Sequence, residues 1–86
     1  MYKIEISNQA ERDLKRLAMA LFERIVPEIK ALAMNPRPHG CAKLAGSKSD
    51  YRIRVGDYRV LYEFDAKLGR IYLHYVGNRR EIYKRS

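Results

Sequence analysis

The stretch DYRIRVGDYRVLYEF, residues 50–64, constrains the fold more tightly than any other part of the chain. In YRIRV (51–55) apolar and charged residues alternate at period two, and YRVLYEF (58–64) largely repeats the pattern, so both runs read as strands with one buried face. Between them sits Gly56-Asp57, with glycine at the first central position, where a type II′ turn requires a positive φ. The turn predicts a register in which Val55 faces Tyr58 and Arg54 faces Arg59, with Arg52 and Leu61 on the arginine side. Like charges directly opposite each other cost a few tenths to about 1 kcal/mol. Two readings of the pair stand: the guanidinium groups splay into water, or an anion lies between them.

The rest of the chain supplies what such a hairpin needs to pack against. KIEI (3–6) alternates and reads as a first strand together with Tyr2. Ser7 or Asn8 then offers an N-cap, and Glu11 stands three residues past Asn8, the spacing of a capping box. Ala10, Leu14, Leu17, Ala18 and Leu21 recur at helical spacing, which assigns Glu11, Arg12, Asp13, Lys15 and Arg16 to the solvent face. A second apolar stripe runs through Phe22, Ile25, Val26, Ile29, Leu32 and Ala33. Pro27 falls inside it and predicts a kink or a fresh helix start. The prolines of residues 35–38 end the helical region. Residues 43–46 read as a short strand, residues 65–69 as a turn, and IYLHYV (71–76) as a strand apolar enough for a central place in the sheet. The order implies an α+β fold: two N-terminal helices on one face of a mainly antiparallel sheet of four to five strands, with the opposite face open.

The chain has 86 residues, which predicts a single domain over residues 1–86 with one modest core. A net charge of +8 points to a polyanionic partner, nucleic acid before an acidic membrane. No apolar run approaches the roughly 18 residues of a transmembrane helix, and MYKIEISN lacks the layout of a signal peptide, so a cytoplasmic location without membrane contact is expected. The single cysteine, Cys41, has no internal disulfide partner, and no Cys/His cluster shows zinc spacing. Neither a metal nor a cofactor is expected.

The tail GNRREIYKRS (77–86) places Arg79, Arg80, Lys84 and Arg85 with Tyr83 directly after the last strand. It is either a frayed basic terminus or a second set of phosphate contacts brought beside Arg54 and Arg59. Arg79 and Tyr83 share a face if the tail forms a helical turn. Cleavage of RNA by its own 2′-hydroxyl requires the phosphate to be held, its developing charge stabilised, and protons moved at the attacking and leaving oxygens. Arginine suits the first two tasks through its planar bidentate fork. For proton transfer Tyr83 is the candidate, since nearby cations favour the phenolate and lower a pKa that is ordinarily about 10. His39 lies in a Pro/Gly loop, and His74 reads as a structural histidine within a strand. Arg59 and Arg79 read as surface cations whose removal spares the fold.

The motifs YRIRVGDYRVLYEF and IYLHYVGNRREIY, after one strand and two helices, resemble the RelE family of bacterial toxins within the RelE/ParE superfamily, over nearly the whole chain. The resemblance implies a type II toxin, an mRNA interferase that cuts messenger RNA in the ribosomal A site, next to 16S ribosomal RNA. Cleavage in that family leaves a 2′,3′-cyclic phosphate and a 5′-hydroxyl, blocks translation and arrests growth. It also implies restraint by a RelB-like antitoxin, for which the +8 surface suggests an acidic binding segment. By position, Arg59 and Arg79 match the family's phosphate-stabilising arginines, and Tyr83 its C-terminal tyrosine. Arg52 and Arg54 fall where relatives carry basic residues, often lysine, that contact RNA or assist the transition state. Lys43, Arg80 and Lys84 join Arg52 and Arg54 as RNA contacts. Some branches place a histidine before the terminal tyrosine and a glutamate earlier in the sheet. Here Ile82 precedes Tyr83, and no carboxylate obviously fills that role. The alternatives are a ParE-like inhibitor of DNA gyrase and a basic nucleic-acid-binding module without catalysis.

Overall fold

A computed structural model describes residues 1–78. The elements run β1 (Lys3–Ile6), α1 (Asn8–Lys15), α2 (Met19–Ala31), β2 (Ala42–Lys43), β3 (Asp50–Val55), β4 (Tyr58–Asp65) and β5 (Arg70–Asn78). They form one five-stranded sheet in the order β1-β5-β4-β3-β2. Among the described residues only β1 and β5 pair in parallel; β2 to β5 form an antiparallel meander. The long apolar strand therefore sits inside the sheet, as its sequence suggests. The strand expected at residues 43–46 is shorter and earlier, at Ala42–Lys43.

Ser7 is the N-cap of α1: its Oγ accepts the Ala10 N–H at 3.0 Å and donates to the His74 carbonyl at 2.9 Å. The capping box counted from Asn8 is not formed, because the helix starts one residue earlier than that spacing assumes. Glu11 instead pairs with exposed Lys15 at 3.2 Å. Asp13 departs further from expectation. Far from facing solvent, it is 5% exposed, and its Oδ2 accepts the Val76 N–H at 3.0 Å. Strand β1 ends opposite Leu73, so the carboxylate takes the part of a strand partner for the stretch of β5 beyond it. Gln9 Nε2 donates to the other oxygen at 2.9 Å.

Helix α2 is continuous across Pro27, and the expected restart is absent. Pro27 lies on the solvent side, where water can take the carbonyl that its missing N–H leaves behind. The inner side of α2 buries Ile25 and Ile29, and Leu32 follows them inward. These residues and Ala10 pack on Ile53, Val55, Val60, Tyr62, Ile71, Leu73 and Val76. Tyr62 is fully buried, and its hydroxyl donates to the Pro36 carbonyl at 2.7 Å, which ties the loop after α2 to the sheet. Burial, reinforced by neighbouring Cys41, pushes this phenol well above its ordinary pKa and keeps it a donor.

Candidate functional site

Both helices pack on one face of the sheet, and the arginine candidates of the hairpin lie on the other. The hairpin turn sets their register. Gly56 has φ +62°, and no described non-glycine residue has a positive φ, so Gly56-Asp57 is the expected type II′ turn. The Arg24 guanidinium lies 3.3 Å from where a Cβ on Gly56 would stand. Arg54 pairs with Arg59, and Arg52 with Leu61. On the far side of Arg59 stands Gly77 of β5, which adds no side chain to the row.

Arg59 is not the surface cation that its sequence suggests. It is 5% exposed, near the start of β4, an interior strand flanked by β3 and β5. Arg54 is exposed and Arg52 half-buried. The three form the basic end of the open face. Lys43 does not join them: it pairs with Tyr51, whose ring stacks on core Tyr62 with centroids 5.9 Å apart, so it belongs to the opposite face. Arg79, Arg80, Tyr83 and Lys84 lie outside the described residues.

The other end of the face is acidic, and sequence reasoning missed it. Asp50 pairs with Glu63, and Glu63 with Tyr72. Tyr72 pairs in turn with Glu5, which meets Arg70 at 3.3 Å. Beside this row stands His74, its Nε2 3.5 Å from Asp50 Oδ1 and 3.9 Å from Glu63 Oε1. A β-bulge brings it there. Leu61 faces Tyr75 while the next residue, Tyr62, faces Leu73, so β5 carries one extra residue. Leu73 and Val76, three apart, both reach the core, while His74 and Tyr75 share the open face. The only available signal was that three-residue spacing of apolar positions in a strand. Alternate residues on a strand stand roughly 7 Å apart, so the Glu63 row lies about 13 Å from the Arg59 row. A cavity of about 220 Å³ opens beside the acidic row, lined by Asp50, His74, Leu61, Tyr75, Leu44 and Tyr62.

The model of the ParE toxin of type II toxin-antitoxin systems matches residues 4–83. The chain belongs to this toxin family. The toxin is 30% identical to a Methanocaldococcus jannaschii protein carrying the name RelE1, over 96% of both chains. The RelE–RelB complex from Pyrococcus horikoshii contains a chain that is 30% identical and superposes with a TM-score of 0.80 over 91% of the toxin and 94% of that chain. Isolated E. coli RelE shares the fold at a TM-score of 0.81, with 21% identity over 99% and 94% of the two chains. Within the superfamily the toxin is thus of RelE type, with two helices on a mostly antiparallel five-stranded sheet.

Proposed function

We propose that the toxin is a ribosome-dependent endoribonuclease that cuts messenger RNA in the A site by attack of a 2′-hydroxyl on the adjacent phosphate. The observation that carries this reading is the row formed by Arg59 and Arg54, with Arg52 beside it, on the sheet face away from the helices. A guanidinium held by the surrounding strand has little reorganisation left to do when charge builds on the phosphate oxygens. Arg54 supplies a second, exposed cation, and Arg52 and the tail residues Arg79, Arg80 and Lys84 extend the phosphate contacts. Direct proton transfer at that phosphate by Asp50 or Glu63 is disfavoured by the ~13 Å between rows. Tyr83 of the tail takes that role in this reading. Lys43, on the other face, contributes at most long-range attraction.

RelE stands in complex with RelB in the Pyrococcus horikoshii structure. By analogy, this toxin pairs with a RelB-like antitoxin whose acidic segment covers the basic row. The ribosome and messenger RNA place its action in the cytoplasm. Among the described residues no helix is long and apolar enough to cross a membrane.

A second reading, inhibition of DNA gyrase, draws on the match to the ParE toxin model. The two separate in one pair of assays. Added to a translation reaction, the toxin should release RNA fragments with 5′-hydroxyl and 2′,3′-cyclic phosphate ends and leave gyrase supercoiling unchanged. Blocked supercoiling with intact RNA would reverse the assignment.

A further inference from the structure

We propose that Asp50, Glu63 and His74 form a binding site for a divalent transition-metal ion of the zinc type. The inference is independent of whether the open face meets RNA. The three side chains come from three adjacent strands, and one ligand atom from each lies within 4.8 Å of the others. The His74 Nε2 separations of 3.5 and 3.9 Å from the two carboxylates are too long for good hydrogen bonds. They are close to the roughly 3.4 Å that separates two ligands of a tetrahedral ion bound at about 2.1 Å. The three ligand atoms lie within 4.8 Å of one another, so side-chain rotation of up to about 1.4 Å would close the site.

Three further observations favour a cation there. Asp50 and Glu63 stand directly opposite each other, an unfavourable like-charge pair whose sign a central dication reverses. Asp50 Oδ2 accepts the Ser47 hydroxyl at 2.8 Å, which fixes the carboxylate. Its Oδ1 is buried, has no hydrogen-bond partner among the described residues, and is the atom turned toward His74. The adjacent cavity leaves space for a fourth ligand such as water. One imidazole nitrogen and two carboxylate oxygens suit zinc and its first-row neighbours. Calcium would seek six to eight oxygens. Occupancy would also turn the acidic end of the open face from repelling phosphate to attracting it.

The test is zinc titration of the purified, chelator-treated full chain by calorimetry and thermal unfolding, with X-ray absorption of the loaded protein. One zinc per chain should bind, raising Tm by roughly 10 °C or more at a hundredfold excess over Kd. The absorption spectrum should show nitrogen and oxygen ligands without sulfur. Glu63→Gln keeps the side-chain shape and removes the like-charge pair, so it should fold at least as stably without metal and lose at least tenfold in affinity. His74→Gln should lose as much, and Cys41→Ser nothing. Absence of binding, or binding that survives both Glu63→Gln and His74→Gln, or a sulfur ligand removed by Cys41→Ser, would overturn the proposal. So would an imidazolium that holds the two carboxylates and excludes zinc at neutral pH.

Discussion

Arg54→Gln should make the toxin more stable and less active at once. Arg54 stands directly opposite Arg59 across the hairpin. Two unit charges roughly 6 Å apart repel by about 0.7 kcal/mol at the dielectric of water and about 2.8 kcal/mol at an effective value near 20. Because Arg54 is exposed, the lower figure applies. For a domain of this size, relief of about 0.7 kcal/mol raises Tm by about 3–6 °C. Glutamine keeps most of the length and removes the charge, so the change isolates the electrostatic part. Thermal unfolding should be followed at low salt and again in 1 M NaCl, where the screening length falls to about 3 Å and the difference should nearly vanish. Binding of a single-stranded RNA should weaken, with its salt slope smaller by about 0.7. If Arg54→Gln were neutral or destabilising at low salt, or stabilising to the same degree at high salt, the two arginines would not be a repelling pair.

Arg59→Ala should lower cleavage at least roughly a hundredfold, the scale of losing one transition-state donor. Unlike an exposed cation, buried Arg59 should also show a measurable loss of Tm on removal, so cleavage must be compared at equal folded fraction. Tyr62→Phe removes the hydrogen bond to the buried Pro36 carbonyl and should cost about 1–2 kcal/mol near pH 8 in denaturant unfolding. The folded-state pKa of Tyr62 is raised, so its contribution is present below the unfolded value of about 10 and fades as pH rises beyond it. The gap between wild type and Tyr62→Phe should therefore narrow by about 1.4 kcal/mol between pH 9 and pH 11, and a gap that widens would contradict the assignment. Lys43→Gln should leave the rate of cleavage within about twofold, because Lys43 lies on the face away from the arginines; a large loss would refute that separation.

The hairpin was legible because period-two alternation, one glycine and a two-residue gap leave few other registers. The helices were legible from their apolar stripes. What escaped was each place where a charged residue faces inward or the period changes. Asp13 reads as one more charge on a solvated helix face, and only the early end of β1 explains why a carboxylate belongs against β5. Arg59 alternates like its neighbours, and nothing in a strand's own sequence says how deeply the adjacent strands cover it. The bulge in β5 reverses the faces of the residues beyond it, so His74 cannot be placed beside Asp50 and Glu63 by counting. Those three residues are 13 and 11 positions apart along the chain. Such spacing matches no metal motif, although the sheet brings them into one row. Lys43 reads as an RNA contact by its charge, whereas one step of register decides which face it takes.

The most direct test of the central claim is 5′-end mapping of a defined messenger RNA incubated with the toxin, with and without translating ribosomes, beside the Arg59→Ala variant. Cuts within A-site codons that require ribosomes and disappear in the folded variant are the predicted result. RNA that stays intact with ribosomes present, or is cut equally well by Arg59→Ala, would contradict it.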